Sequence, residues 1–306
     1  MTANPAPPTL PLSVWPVAQR TARGQRAGRY LEISGNHPAK MLPAIAQRAI
    51  TTYTQPGDIT LDPMCGIGTT LVEAIYLGRD AVGVEYEQPW ADLARANVEL
   101  ARSKGATGHA EVLTGDARYL ETTVDPALQG LVALVVTSPP YGASLHGQVR
   151  ARPGQGVAKS HERYSRDPEN LAHQSFDNLL GGFTSILRGC KTMLCPGGFV
   201  VVTARPWRRA GELVDLPAAV LACAEDAGLI AYERNVALLT GLRGDSLVPS
   251  VSFFQLEHVR KARAAGTLHL AIAHEDILVL RNPIRPAPGT DGVKTADGLD
   301  ARPTWR

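Results

Sequence analysis

The sequence predicts an α/β fold, doubly wound and Rossmann-like, around a mostly parallel sheet. The main observation is an alternation of short apolar runs with helical patterns of ten or more residues over most of the 306 residues. A second is the composition, in which 44% of the residues are hydrophobic and 20% are charged. These proportions are typical of a globular protein with a large core.

Seven strands are expected, each ending at a turn or at the start of a helix. We predict them at residues 58–64, 80–87, 110–117, 131–138, 196–206, 229–239 and 275–282. The main helices are predicted at 41–50, 68–78, 90–105, 178–194 and 212–228, where apolar residues recur at helical spacing. Parallel sheets of this kind bind ligands at the carboxyl ends of their strands, so those ends are where chemistry is expected.

The domain organisation follows from changes in composition. Residues 1–35 are rich in proline and arginine and are predicted to be an extended basic arm. Residues 36–283 form one domain, with a long loop at about 142–168 that shows little periodicity. Residues 284–306 are predicted to be a flexible tail.

Charge and cysteine content exclude several classes of protein. The net charge is only +2, so bulk charge does not indicate a nucleic-acid binder, although arginines and lysines cluster locally. The four cysteines have no zinc-ligand spacing, and we expect no metal site and reduced thiols. No apolar run is long enough to span a membrane, and the start of the chain lacks the pattern of a signal peptide. A cytoplasmic protein is expected.

Acidic residues follow the first three predicted strands. Asp62 begins "DPMCGIGTT", where Gly66 and Gly68 allow a tight turn and Thr69 or Thr70 is predicted to cap the next helix. Glu85 follows the second strand, where an acid is well placed to bind the hydroxyls of a ribose. Asp116 follows the third strand and is expected to accept from an exocyclic amine such as that of adenine.

The glycine pattern argues against some classes of ligand. The third glycine of a dinucleotide motif is missing, because residue 71 is Leu, and no triphosphate-binding motif occurs. This argues against NAD and ATP. A nucleoside without a phosphate fits better, which indicates S-adenosylmethionine.

The sequence then resembles a known family of enzymes. "DPMCGIGTTLVEA", "GVEYE", "GDA" and "TSPPYG" are similar to the motifs of the amino-methyltransferases that modify exocyclic nitrogens of DNA bases. The resemblance covers residues 36–282 and implies the seven-stranded sheet of class I methyltransferases. It also implies that "HPAKMLP", from residue 37, lies around the methionine end of the cofactor. The implied cofactor-binding residues are His37, Lys40, Asp62, Pro63, Cys65, Gly66, Gly68, Thr69, Thr70, Glu85, Asp116, Ala117 and Thr137.

The stretch "TSPPYG" indicates the reaction. The resemblance implies that the Ser138 hydroxyl and the Pro139 carbonyl accept the two N–H groups of the target amine. Pro140 helps to fix the backbone, and Tyr141 stacks on the base. The form S-P-P-Y is typical of enzymes that methylate N4 of cytosine, whereas D-P-P-Y is typical of adenine N6. The order of the motifs differs from that of many N4-cytosine enzymes. Adenine N6 in DNA, guanine N2 in transfer RNA and a catalytically idle nucleic-acid-binding module therefore remain alternatives.

The predicted macromolecular partner is double-stranded DNA. Its target base would have to be flipped into the site, because a paired amine is buried in the duplex. Basic residues after the fourth and fifth strands are expected to contact DNA: Arg150, Arg152, Lys159, Arg163, Arg205 and Arg208. In a prokaryotic cell such a protein would associate with the nucleoid. The sequence leaves the oligomeric state unknown.

Overall fold

The structure is a computed structural model in which part of the chain is described. The described residues are 11–140, 148–152, 156–160, 167, 169–209, 211–248 and 253–284. Side chains at 148–152, 156–160, 253–255 and 258 are not included in the description.

An eight-stranded sheet forms the centre of the protein, with the strand order β1-β11-β14-β8-β5-β2-β3-β4. Its strands are β1 (Val14–Trp15), β2 (Ile59–Asp62), β3 (Asp80–Glu85), β4 (Ala110–Thr114), β5 (Val132–Thr137), β8 (Leu194–Ala204), β11 (Ile230–Leu238) and β14 (His274–Arg281). Neighbouring strands are parallel except for β14, which is antiparallel to both β8 and β11. The predicted α/β class and the mostly parallel sheet are confirmed. The sheet contains one strand more than the seven that were predicted.

Eight α-helices are present in the described residues, and most of them pack on the two faces of this sheet. They are α1 (Ala22–Arg26), α2 (Pro43–Tyr53), α3 (Thr69–Tyr76), α4 (Gln88–Ser103), α5 (Leu120–Thr123), α6 (Phe176–Met193), α7 (Leu216–Asp226) and α8 (Phe253–Ala264). One apolar cluster packs α2, α3 and α4 against one face, and a second packs α6 and α7 against the other. Since the side chains of a strand alternate between faces, Val201 and Val202 of β8 belong to different clusters.

The start of the chain differs from the extended arm that the sequence predicted. Over residues 11–35 it forms β1, α1 and a 3₁₀ turn, and β1 pairs in parallel with β11 at the sheet edge. Trp15 and Tyr30 are buried in the same cluster as α2 and α3. The arm prediction was wrong here, because prolines and arginines dominate the composition while a few apolar residues anchor the segment.

Three β hairpins follow the carboxyl ends of β5, β8 and β11. They are β6 (Gln148–Arg152) with β7 (Gly156–Ser160), β9 (Trp207–Arg209) with β10 (Glu212–Val214), and β12 (Gly241–Arg243) with β13 (Ser246–Val248). The first lies within the predicted loop of 142–168, so part of that loop is regular. The rest of it, at 142–147, 153–155, 161–166 and 168, lies outside the described residues, as do residues 285–306 of the predicted tail.

No helix in the described part of the chain is long and apolar enough to cross a membrane.

Candidate active site

A cavity of about 340 Å³ opens at the carboxyl ends of the central strands. Its walls come from β2, β3, β4, β5, β8 and β14 and the segments that follow or precede them. The lining residues include Pro63, Glu85, Asp116, Ala117, Ser138, Pro139, Pro140, Thr203, Arg205 and Glu275. The cavity therefore brings two of the three predicted cofactor acids, Glu85 and Asp116, together with the predicted amine-binding residues.

The turn after β2 is built on glycines. Gly66 and Gly68 have φ angles of 54° and 79°, in the left-handed region that favours glycine. A Cβ atom on Gly66 would lie 3.2 Å from Nε2 of His37, so a side chain would fill the space between turn and ring. His37 is buried, and its ring packs edge-on against Trp90 with the centroids 4.6 Å apart. His37 therefore lies against the glycine turn. That its segment surrounds the methionine end of the cofactor stays a prediction.

Glu85 is buried at the end of β3, and its carboxylate is fixed by backbone donors. The amide of Gly66 donates to Oε2 at 2.8 Å, and the amide of Glu87 donates to Oε1 at 2.9 Å. The carboxylate thus links the glycine turn to the second strand and lines the cavity. Each carboxylate oxygen can accept a further hydrogen bond. The role of Glu85 in binding a ribose stays a prediction.

Asp62 is buried below the turn and contacts the chain itself. It accepts from the amide of Met64 at 3.1 Å and from the hydroxyl of Thr70 at 2.6 Å. Burial raises its pKa to about 6, and these hydrogen bonds oppose the rise. The buried Thr137 hydroxyl also opposes it, although that hydroxyl forms no hydrogen bond of normal geometry.

The predicted capping role of the two threonines was wrong. The N-cap of α3 is Gly68, and no side chain caps that helix. Thr70 instead holds Asp62, and the buried Thr69 lines a small pocket of about 30 Å³ beneath the main cavity. A left-handed glycine at the cap position leaves the first amides of α3 without a side-chain acceptor.

Asp116 is paired with an arginine that the sequence did not single out. Its carboxylate accepts from Nε of Arg118 at 3.0 and 2.8 Å, and a further nitrogen of the guanidinium lies 2.6 Å away. Both residues line the cavity, with Ala117 between them. The predicted acceptor for an adenine amine is therefore also an ion-pair partner. The signal for Arg118 was its position two residues after the acid.

Lys40 lines the cavity from the segment that follows His37. Its ammonium donates to the carbonyl of Gly35 at 3.0 Å and also to that of His37. Burial, helped by the charge of Arg26, lowers the pKa of Lys40 to about 8. The lysine therefore stabilises the segment that covers the glycine turn.

Cys65 is a buried thiol within the turn. Burial raises its pKa well above the ordinary value, and the nearby charges of Glu85 and Asp62 raise it further. A thiol in this state is a weak nucleophile. The Cys65 side chain therefore acts as a small apolar group that packs within the turn.

Ser138, Pro139 and Pro140 follow β5 and line the cavity together. Ser138 is half-buried and lies one residue beyond Thr137, the last residue of the strand. Proline fixes φ near −65°, so the backbone here has little freedom. Tyr141, the predicted stacking residue, lies outside the described residues.

A segment before α6 covers one side of the cavity, and it was not predicted from the sequence. Asp167 accepts from the hydroxyl of Tyr86 at 2.6 Å, and Asn170 donates to Glu87 at 3.0 Å. Asn170 and Leu171 line the cavity. The end of β3 thus holds both the predicted ribose acid and the contacts to this covering segment.

The predicted DNA-contacting residues fall into three groups. Arg150, Arg152 and Lys159 lie on the β6–β7 hairpin, of which only the backbone is described, and Arg163 lies outside the described residues. Arg208 is exposed on β9 and donates to the carbonyl of Gly211 at 2.8 Å. Arg205 is half-buried in the cavity wall rather than on the outer surface.

Within the described ranges, no three or more His, Cys, Asp or Glu side chains come together as a metal-binding group.

A family profile described as "DNA methylase" and named for N6 and N4 methylation matches residues 8–96. The resemblance to the N6/N4 DNA methylases is confirmed over that range. It includes the folded start of the chain, the turn after β2 and Glu85. S-adenosylmethionine is the methyl donor of this family, so the cofactor prediction is confirmed at the level of the family.

Solved structures show more distant similarity. TrmN from Thermus thermophilus is 18% identical, with 84% of this chain and 52% of that protein covered and a TM-score of 0.48. The chain thus spans about half the length of TrmN. An S-adenosylmethionine-dependent methyltransferase from Methanosarcina mazei is 13% identical, with 81% of this chain and 100% of that protein covered and a TM-score of 0.46.

Proposed function

We propose that the protein methylates the exocyclic N4 amine of cytosine in DNA, with S-adenosylmethionine as the methyl donor. One observation carries the proposal. A single cavity of about 340 Å³ is lined by Glu85 and Asp116 and also by Ser138, Pro139 and Pro140. A donor nucleoside and an acceptor amine held by these two sets of residues would meet in the same space.

The residues present fit the cofactor. Glu85 offers a fixed carboxylate for the ribose, and Asp116 lies where an adenine amine would bind. The cradle between Gly66 and His37 is kept open by the missing side chain, which allows a ligand to approach the backbone. When bound, S-adenosylmethionine supplies an electrophilic methyl group. The protein must then place and orient the amine.

Ser138 and Pro139 would activate the amine by orienting it. The lone pair of an exocyclic amine is delocalised into the base ring, which makes the amine a poor nucleophile. Hydrogen bonds from both N–H groups to the Ser138 hydroxyl and the Pro139 carbonyl would turn the lone pair towards the methyl group. Positioning of this kind supplies a large part of the rate in a displacement reaction.

Ser138 favours cytosine over adenine. A serine hydroxyl at this place is typical of N4-cytosine enzymes, whereas adenine enzymes usually have Asp. Because the family match names both N6 and N4 methylation, the base is assigned by Ser138. If the substrate is RNA, the alternative target of methylation is guanine N2 of transfer RNA.

DNA would reach the cavity over the edge where three hairpins follow the strands. Each of these hairpins carries arginine, with Arg150 and Arg152 on β6, Arg208 and Arg209 on β9 and Arg243 on β12. Contacts from such residues to phosphates would hold the duplex while the target base is flipped, at a cost of a few kcal/mol. A DNA substrate would place the protein with the nucleoid of a prokaryotic cell.

The product identifies the reaction. We would incubate the protein with unmethylated DNA and isotopically labelled S-adenosylmethionine, digest the DNA to nucleosides and separate them by mass spectrometry. Labelled N4-methylcytosine is expected. Labelled N6-methyladenine without N4-methylcytosine would contradict the base assignment. Cofactor binding without transfer to DNA or transfer RNA would indicate the idle module.

Substitution tests the amine-binding role of Ser138. Ser138→Ala removes one acceptor for the amine, so transfer should fall about 100-fold while the affinity for S-adenosylhomocysteine stays the same. Ser103→Ala, at the end of α4, is the matched control and should retain wild-type transfer. Full activity of the Ser138 variant would exclude the hydroxyl from the reaction.

A further inference from the structure

The far wall of the cavity contains charged residues that are not among those proposed to bind the cofactor or the amine. Arg205 and Glu275 line the cavity together with Thr203. They lie at the end of β8 and the start of β14, which meet at the carboxyl edge because β14 is antiparallel.

The strand register places this wall next to Ser138. Thr137 of β5 pairs with Val202 of β8, so Ser138 and Thr203 are neighbours one position beyond that pair. Asp276 of β14 pairs with Ala204, so Glu275 lies opposite Arg205 one position further.

Strand alternation puts these side chains on one face. Val201 of β8 and Ile277 of β14 belong to the same apolar cluster, and Thr203 and Arg205 continue the face of Val201. Glu275 continues the face of Ile277 in the same way. Ser138, Thr203 and Arg205 therefore follow one another along the wall, with Glu275 beside the arginine.

The charge of Arg205 affects the ionisation of Glu275. Burial raises the pKa of Glu275, and the nearby Arg205 opposes that rise. Glu275 lies opposite Arg205 in the strand register, and both residues line the cavity where a base would lie. A guanidinium is planar and presents N–H donors in a fixed fork.

A base held by its amine at Ser138 presents the adjacent ring edge to this wall. In cytosine the atoms beside N4 are N3 and then O2, both hydrogen-bond acceptors. In adenine only N1 accepts, and C2–H follows it. In guanine, the N2 amine is flanked by N1–H, a donor that an arginine would repel, and on its other side by the acceptor N3.

We infer that Arg205 is a specificity-determining residue that donates to N3 and O2 of the target cytosine, and that Glu275 is the residue that positions it. This inference rests on the proposed function. It gives the cytosine assignment a second basis in this chain, the contact to the ring edge, in addition to the identity of residue 138. It also changes the role of Arg205 from a phosphate contact to a contact with the base.

A base analogue tests Arg205. The methylated site is first mapped on unmethylated DNA, and duplexes are then made with cytosine or 3-deazacytosine at the target. The analogue keeps the amine but lacks the N3 acceptor. Wild-type kcat/KM should fall about tenfold with the analogue, as expected for one lost hydrogen bond in a closed site.

The comparison between protein variants isolates the contact. The analogue also pairs more weakly and has a different intrinsic reactivity, but both effects are common to every variant. Arg205→Ala should be slow on cytosine and show a cytosine-to-analogue ratio near one. Arg205→Lys keeps the positive charge but loses the paired N–H donors, so its cytosine-to-analogue ratio should lie between those of the wild type and Arg205→Ala. If the alanine variant does not fold, the ratio of the lysine variant tests the contact instead.

Glu275→Gln tests the positioning role through pH. In the wild type the ratio should decline as the pH falls, because the Glu275 carboxyl takes up a proton and releases Arg205. This decline should begin at a higher pH than for an ordinary carboxyl, since burial raises the pKa of Glu275. In Glu275→Gln the ratio should be low and independent of pH. A wild-type ratio and pH profile in this variant would exclude the positioning role.

Arg102→Ala and Glu225→Gln change exposed residues of α4 and α7 and should behave like the wild type. Affinity for S-adenosylhomocysteine should be unchanged in every variant. The inference alone is overturned if the wild type forms N4-methylcytosine but Arg205→Ala discriminates between cytosine and 3-deazacytosine as well as the wild type does. A different methylated nucleoside, or none, overturns the proposed function as well.

Discussion

Asp62 is a buried acid whose ionisation costs stability. Its pKa rises from 3.8 to about 6 because burial outweighs the hydrogen bonds from Thr70 and Met64. Below the pKa of the unfolded chain the carboxyl is neutral in both states and costs nothing. As the pH rises through the folded pKa, the ionised form must be buried, and the free energy of unfolding falls.

We therefore expect Asp62→Asn to flatten the pH dependence of stability between about pH 4 and pH 6. The rise in pKa corresponds to at most about 3 kcal/mol of this dependence in the wild type. Urea denaturation of both proteins across this range measures it. Asp226→Asn, an exposed residue of α7, is the control and should keep the wild-type profile. Parallel profiles for wild type and Asp62→Asn would contradict the assignment.

Residues that follow a strand directly could be predicted, and residues placed by pairing between distant strands could not. Glu85 and Ser138 were found because each ends an apolar run at the edge where parallel strands meet. Glu275 also lies at that edge, but it begins a strand that runs in the opposite direction. Only the strand order reveals this. Arg118 was missed because an arginine in a short turn is ordinarily a solvated residue.

At the scale of elements, the start of the chain supports the cofactor turn. Asn97 of α4 is fully buried; its side-chain oxygen accepts from the amide of Leu31 at 2.9 Å, and its nitrogen donates to the carbonyl of Ile67 at 3.0 Å. One side chain therefore connects the N-terminal segment to the turn between β2 and α3. Glu73 of α3 adds bonds to Tyr30 at 2.6 Å and to Arg29.

Asn97→Ala should weaken both ends of this connection. It leaves a buried amide and a buried carbonyl without their partner, at a cost of about 2–4 kcal/mol in the free energy of unfolding. The affinity for S-adenosylhomocysteine should fall as well, because the carbonyl of Ile67 loses its donor. Denaturant titration and calorimetry measure the two effects. The control is Glu99→Ala, an exposed residue of the same helix. A loss of stability with unchanged affinity would limit Asn97 to a structural role.

Several of the elements that were not predicted from the sequence are short. β1 contains two residues, and the strands of the hairpins after β8 and β11 contain three each. Runs of this length give no readable alternation, and their neighbours in sequence are prolines, glycines and arginines. The longer strands and helices carry several periods of the pattern, and all of those predicted from the sequence are present.

At the scale of the whole molecule, the sheet brings all parts of the candidate site to one edge. The proposed cofactor acids lie at the end of β3 and after β4, the proposed amine-binding residues follow β5, and the arginines follow β5 and β8. The net charge of +2 is nearly neutral, so attraction for DNA depends on where the positive charges lie.

This arrangement predicts a salt dependence that is specific to one edge. The double variant Arg150→Ala, Arg152→Ala removes two charges from β6, at the proposed DNA edge. Each phosphate contact contributes about 0.9 to the slope of log K against log salt, so the slope should decrease by up to about 1.8. Fluorescence anisotropy with a labelled duplex at several salt concentrations measures it. Affinity for S-adenosylhomocysteine should stay unchanged, because neither arginine is among the residues proposed to bind the cofactor.

The matched control is the double variant Arg102→Ala, Arg188→Ala. Both arginines are exposed near the ends of α4 and α6, which run away from the carboxyl edge, so the net charge falls by the same amount at the opposite edge. Its slope should equal that of the wild type, since counterions are released only where the protein contacts phosphates. Equal slopes in the two double variants would mean that DNA approaches by another surface. A decrease confined to the β6 variant would place the duplex over the cavity that Ser138 and Arg205 share.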